Sequence, residues 1–333
     1  MQQSMNISVV VTCLNEERNI RDCLESLIRQ EYQPDAVEIV ISDGGSVDRT
    51  REIVNQFAEK DPRVRMVVEP KKGTAAGRNA GVRAARHEHI AFIDADCEAP
   101  PQWLALLADA FKEAASADER LAAVGGTNIP PPSANTFVRA VGTALDSYLG
   151  SFGSVQGRRY KKAVYVSGVS TVNALFSKSA LESVGLYDES MLDEGEDADM
   201  NFRLKRAGYT FLFVPDSYVR HKMRPTPYLW FRNMFRYGKA RARLLKRYPE
   251  MWETAYVLPL LYVAAMVSVV LSPFHRLFLL PLLYVPALVI YSAVHCLRNG
   301  VPLLTLHVSL VYLIQHLGYG WGEAYGLLSR RVR

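Results

Sequence analysis

An α/β domain, its mostly parallel sheet flanked by helices, followed by a membrane-embedded helical tail, is the fold class that the sequence predicts. Three observations carry it. Through the first 220 residues short apolar runs alternate with helical patterns, polar clusters fall where those runs end, and long uncharged blocks are confined to the end of the chain. A length of 333 residues and a hydrophobic content of 49% suffice for a substantial core.

Residues 7–13 read as the first strand, and Asn15 is placed to cap a helix from Glu16 to about Arg29. Residues 37–42 form a second strand, after which Asp48 can cap a helix reaching about Glu59. Residues 64–68 form a third; a glycine-rich helix start then spans Gly73 to Gly77, and the next strand ends at Asp94. Repeated βαβ units imply a parallel sheet with helices on both faces, so ligands collect beyond the carboxyl ends of the strands. The segment Ile129, Pro130, Pro131, Pro132, Ser133 marks a break.

Residues 254–275, 277–297 and 299–322 contain no Asp, Glu, Lys or Arg. Each block approaches the ~20 apolar residues that cross a bilayer. Before them, from Arg220 to Tyr248, stand ten Lys or Arg residues and no acid, interleaved with Trp230, Phe231, Phe235, Tyr237 and Tyr248. A basic amphipathic helix beside a membrane segment suits anionic lipid headgroups, and this position argues against nucleic acid as its partner. The N-terminus has neither the basic start nor the apolar core of a signal peptide, so residues 1 to about 250 are expected in the cytoplasm. Cys13, Cys23, Cys97 and Cys296 show no Cys-x-x-Cys spacing, which fits a reduced compartment.

Asp94 and Asp96 are spaced i, i+2 where an apolar run stops, and Pro100 and Pro101 force a turn next. Such a pair presents hard oxygen ligands through which a divalent cation can bridge to a diphosphate. Alone, two aspartates after a strand are more often turn formers. After the second strand come Asp43, Gly44, Gly45, Ser46, Val47 and Asp48. Asp43 can accept from the N–H of a uracil ring, and the glycines admit close backbone approach; a cap and a tight turn explain the motif equally when it stands by itself. Small residues and Arg78 between Gly73 and Gly81 suit a diphosphate at a helix start. Glu196, Asp197 and Asp199 head a helix running through Arg203 to Gly208. Glu196 and Asp199 also suit the helix dipole, whereas Asp197 is the candidate general base.

In these motifs the chain resembles the family 2 glycosyltransferases with the GT-A fold. The matching pieces are Asn15 and Glu16, Asp43 to Asp48, Gly77, Arg78, Asn79 and Gly81, Asp94 and Asp96, then Glu196, Asp197, Asp199, Arg203, Gly208 and Tyr209, in the family's order from residue 6 to about 221. Arg236 to Arg243 and His316 to Gly322 are similar to the tail of the succinoglycan-synthesis type (ExoA-like) of membrane glycosyltransferase. The resemblance implies a UDP-sugar donor, Mg²⁺ or Mn²⁺, and an inverting displacement at the anomeric carbon. It assigns Asn15, Glu16, Asp43, Gly45, Ser46, Asp48, Gly77, Arg78, Asn79 and Asp94 to the nucleotide-sugar, with Asp43 on the base and Asp94 on the ribose or nucleotide. Asp96 would hold the metal and Asp197 would deprotonate the acceptor hydroxyl. Asn173, Glu196, Asp199 and Arg203 would border a polyprenyl-diphosphate-linked acceptor at the cytoplasmic leaflet. The implied organisation is a catalytic domain over 1–220, a basic juxtamembrane segment over 221–250 and membrane helices over 251–333, in a multi-pass protein of the inner membrane. Gly44 departs from the pattern, because many members carry a second aspartate there.

Two rivals remain. A polyprenyl-phosphate sugar synthase shares this catalytic domain, but its phosphate acceptor needs no strong base, and the Arg236 to Arg243 motif favours a saccharide acceptor. A catalytically silent scaffold has no reason to keep Asp96 and Asp197 at one mutually repulsive site. In the tail, three crossings would put Arg330, Arg331 and Arg333 outside, against the positive-inside preference. The expectation is two crossings, 254–271 and 277–297, with a third membrane-associated helix whose Gln315, His316, Glu323 and glycines suit a non-spanning position.

Overall fold

The structure, a computed structural model, describes residues 4–192 and 194–329. The chain runs β1 (Ile7–Cys13), α1 (Ile20–Ile28), β2 (Val37–Asp43), α2 (Thr50–Ala58), β3 (Val64–Val68), α3 (Thr74–Ala84), β4 (His89–Asp94) and β5 (Cys97–Glu98). Next come α4 (Trp103–Ala117), β6 (Leu121–Ile129), α5 (Thr136–Leu145), α6 (Tyr148–Ser151), β7 (Val164–Val166), β8 (Asn173–Ser177) and α7 (Lys178–Ser183). The remainder is α8 (Glu196–Arg206), β9 (Thr210–His221), α9 (Pro227–Arg247), α10 (Thr254–Ser268), α11 (Tyr284–Arg298) and α12 (Thr305–Leu328).

Contacts divide the chain into two units, one of residues up to Ile129 with Arg159–His221, the other of Pro130–Arg158 with the chain from Lys222 onward. In the first unit the sheet order is β3-β2-β1-β4-β8-β6-β9-β5, with β7 also on β9. The strands β3, β2, β1 and β4 are mutually parallel; β8 then runs antiparallel to both β4 and β6. The period of two along each strand divides the core. Val9, Val11, Ile39, Ile41, Ala91 and Ile93 pack with α1, α2 and α4, while Val10, Val40, Ile90 and Phe92 pack on the other face with α3, α7 and α8. Gly81 lets α3 lie against β1, since a Cβ there would stand 2.3 Å from Val10 Cγ1.

The register lines up the polar strand ends. Cys13 pairs with Asp43, and Thr12 with Asp94, so Asp43 and Asp94 share one edge of the sheet. One expectation is corrected here. The first helix begins at Ile20, not at Glu16, and Asn15 does not cap it: Asn15 sits at φ 57° and its Oδ1 accepts from Val47 N at 2.9 Å. Asp48 does meet the start of α2, accepting from Thr50 N at 3.0 Å.

In the second unit α12 lies against α9, and its glycines explain the closeness. A Cβ on Gly322 would stand 2.0 Å from Phe235 O, and one on Gly238 would stand 2.0 Å from Tyr319 O, so backbones rather than side chains meet there. The polar residues of α12 face protein: Gln315 Nε2 donates to Gly150 O at 2.6 Å, and the His316 ring meets Tyr284 Oη at 2.7 Å and Leu149 O at 3.1 Å. Trp230 and Met234 are buried with Phe137, Val141 and Tyr312. Among the described residues one helical stretch, Arg276–Arg298, is long and apolar enough to cross a membrane, with a mean hydropathy of 2.2 over its best window. The first expected crossing contains only the shorter apolar helix Val257–Leu271. Arg330, Arg331 and Arg333 lie outside the described residues.

Candidate active site

Arg78 is the hub. It projects from the second turn of α3, is 4% exposed, and its Nη1 lies 2.6 Å from Glu196 Oε1 and in contact with Asp197 Oδ1, while Nη2 stands 3.6 Å from Asp94 Oδ1. Its guanidinium carbon also lies 5.5 Å from the centroid of the Tyr187 ring. One cation among these carboxylates leaves the pocket acidic, an environment that draws in a divalent cation and repels a bare diphosphate.

Asp197 is 30% exposed at its side chain, and its Oδ1 also accepts from Thr171 Oγ1 at 2.7 Å. Glu196 is buried, and burial together with the neighbouring Asp197 pushes its carboxyl up to about 7 against the pull of Arg78. Because the folded state holds this proton more tightly than the unfolded chain, the stability it contributes is full below the ordinary value of 4.5 and is lost as pH rises through about 7. Glu196→Gln is expected to flatten the decline of Tm over that interval, as thermal unfolding across a pH series will show.

Asp96 lies beyond the end of β4, and strand pairing brings it a neighbour distant in sequence. β5 pairs antiparallel with β9, setting Cys97 opposite His221, and His221 Nε2 lies 3.4 Å from Asp96 Oδ1. Asp96, Cys97 and His221 each offer a ligand atom within 4.8 Å of the others. Burial pushes the Cys97 thiol well up, so it stays protonated; the carboxylate oxygen fits Mg²⁺ or Mn²⁺, and the imidazole nitrogen beside it favours the softer Mn²⁺.

The loops after β1 and β2 are stitched together. Asn15 N donates to Ser46 Oγ at 2.9 Å, Glu16 N to Thr50 Oγ1 at 2.7 Å, and Glu17 N to Asp48 Oδ2 at 3.1 Å. Asp43 is buried and accepts from Arg51 Nε at 2.6 Å and from the N–H groups of Gly45 and Ser46 at 3.1 Å. Burial raises its carboxyl, but these hydrogen bonds outweigh that and hold it below the ordinary carboxylate value.

The structure thus gathers Arg78, Asp94, Glu196 and Asp197 in one cluster, with Asp96 following Asp94 and Asp43 at the same sheet edge. Asn15, Glu16, Gly45, Ser46 and Asp48 lie in the joined loops around Asp43, whereas Gly77, Asn79, Asn173, Asp199 and Arg203 are engaged inside the fold. Gly77 packs on Thr12, and Asn79 spends its amide on Tyr187 and Glu189. Asn173 is buried, accepting from Trp103 Nε1 at 2.7 Å and donating to Thr127 O at 2.8 Å. Asp199 is buried in an ion pair with Arg203, whose Nη1 donates to Val184 O. The side chains of Asn79, Asn173, Asp199 and Arg203 hold the scaffold, and Gly77 serves it by carrying none. Sequence reasoning missed His221 and Arg51; only Arg51, one helical turn into the segment after Asp48, carried a local signal.

The chain matches the glycosyl transferase family 2 profile over residues 8–185. The chain belongs to glycosyltransferase family 2. It is 33% identical over 259 residues to the succinoglycan biosynthesis protein ExoA of Rhizobium meliloti, covering 76% of this chain and 74% of that protein. It is 28% identical over 243 residues to glycosyltransferase AglE of Haloferax volcanii, covering 72% and 73%. The mannosyltransferase PcManGT from Pyrobaculum calidifontis, solved with GDP-Man and Mn²⁺, superposes with a TM-score of 0.57 at 19% identity over 95% of this chain and 88% of that one. The fold is GT-A, and the family 2 chain is a glycosyltransferase.

Proposed function

We propose that this family 2 enzyme moves a sugar from a UDP-sugar to a hydroxyl of a polyprenyl-diphosphate-linked saccharide, with inversion, in exopolysaccharide or cell-envelope glycan synthesis. The observation that carries the reading is the cluster of Asp197, Glu196 and Asp94 around Arg78, next to the pair of Asp96 and His221. The name of ExoA supports the polymer class, and the GDP-Man and Mn²⁺ in the Pyrobaculum structure support a nucleotide-sugar and a divalent cation.

Asp96 and His221 would hold Mg²⁺ or Mn²⁺, which when bound supplies positive charge for the departing diphosphate. Asp197 takes the proton of the acceptor hydroxyl as its oxygen bonds to the anomeric carbon and the bond to the diphosphate breaks. Arg78 and the Thr171 hydroxyl orient Asp197 through Oδ1, and Oδ2, which accepts only a long 3.4 Å bond from Thr171 N, is the oxygen that meets that hydroxyl. Asp43 and Asp94 border the nucleotide.

The site sits in a membrane-bound chain in this reading. Leu258, Leu261, Val270, Phe274, Leu277, Leu283, Ile290 and Leu297 are all exposed, a concentration of large apolar side chains that suits lipid contact. Two passes, 254–271 and Arg276–Arg298, return α12 to the side of α9, against which it lies, and the cations of α9 meet anionic lipid with the catalytic unit in the cytoplasm. Membranes carrying the protein, supplied with radiolabelled UDP- and GDP-sugars and lipid acceptors, test the reading. Label is expected on a lipid-linked saccharide from a UDP-sugar. Label on polyprenyl phosphate alone favours a phosphate acceptor, and no transfer from any UDP-sugar refutes the donor assignment.

A further inference from the structure

β6 and β9 run parallel, pairing Asn128 with Val219 and Ile129 with Arg220. Asn128 is 3% exposed and sets its Nδ2 3.1 Å from His221 Nδ1, while its Oδ1, also buried, has no hydrogen-bond partner. A neutral imidazole carries its proton on one nitrogen or the other, and the group facing one nitrogen decides the state of the second. With the amide N–H toward Nδ1, the proton lies on Nε2 and points to Asp96. With the amide turned, Oδ1 accepts from Nδ1–H, and Nε2 offers a lone pair beside Asp96. Turning gives up no bond at Oδ1, because none is made there.

We propose that Asn128 is the positioning residue of the cation site: its amide turns to accept from His221 Nδ1–H, which holds Nε2 as a ligand next to Asp96. A neutral amide does this without adding charge to an already acidic pocket. The inference rests on the divalent-cation reading above.

The purified full-length chain in detergent, titrated with Mn²⁺ and followed by the EPR signal of the free ion, tests it. Asn128→Ala is expected to weaken Mn²⁺ binding by about 10–100-fold with Tm preserved. Asn128→Asp, whose carboxylate can only accept from Nδ1–H, is expected to keep most of the affinity. In ¹⁵N-histidine-labelled protein, Mg²⁺ is expected to shift the His221 ring from its Nε2–H to its Nδ1–H form, with the signal assigned by His221→Ala. Undiminished Mn²⁺ affinity in Asn128→Ala, or a His221 tautomer that ignores bound Mg²⁺, overturns the proposal. Should Asn128→Ala fail to fold, the tautomer measurement on the unsubstituted chain decides. If neither Asp96→Ala nor His221→Ala weakens Mn²⁺ binding, the cation reading itself fails; if both do and Asn128→Ala does not, only the positioning role fails.

Discussion

Asp96→Ala is expected to abolish sugar transfer while the protein stays folded. Asp96 stands beyond the end of β4 beside His221, and its carboxylate is the oxygen donor of the proposed cation site. Without it, charge developing on the leaving diphosphate loses a stabilisation of several kcal/mol, on the order of 10³-fold in rate or more. Thermal unfolding should show little change, because removing one of several mutually repelling carboxylates relieves repulsion in the pocket. Full activity of the unsubstituted enzyme in EDTA would refute the role assigned to Asp96.

Asp197→Asn carries the second large effect. The amide keeps an oxygen for Arg78 and the Thr171 hydroxyl, giving up only the long 3.4 Å bond from Thr171 N, but it cannot take a proton. Turnover should fall by about 10²-fold to 10⁴-fold, with donor affinity nearly unchanged, as loss of a general base predicts. Steady-state kcat together with nucleotide-sugar binding separates the two quantities. An unchanged kcat would move the base elsewhere, Glu196 being the adjacent carboxyl, or point to a phosphate acceptor that is already anionic.

The first half of the catalytic unit was legible because its signals are local. The strands Ile7–Cys13 and Val64–Val68 coincide with apolar runs that end in turn formers, and Asp43 and Asp94 stand where such runs stop. The start of α1 was misjudged for the converse reason. Asn15 looks like a cap in sequence, yet its side chain is claimed by Val47, a residue brought near only when β1 and β2 pair. Asn173 and Asp199 show the same limit. Both were placed near an acceptor by motif, and both are consumed by partners inside the fold.

The sequence by itself determined the α/β pattern, the family, the carboxylates at the strand ends, and a tail too apolar for water to solvate cheaply. These follow from periodicity and residue type, which act over a few neighbouring positions. Only the tertiary structure decided that one guanidinium, Arg78, serves Asp94, Glu196 and Asp197 together, and that His221 arrives beside Asp96 through the pairing of β5 with β9. It also decided that the glycines of α12 serve close approach to α9. Strand registers and helix contacts join residues far apart along the chain, and no local preference encodes which distant partner will satisfy a buried charge.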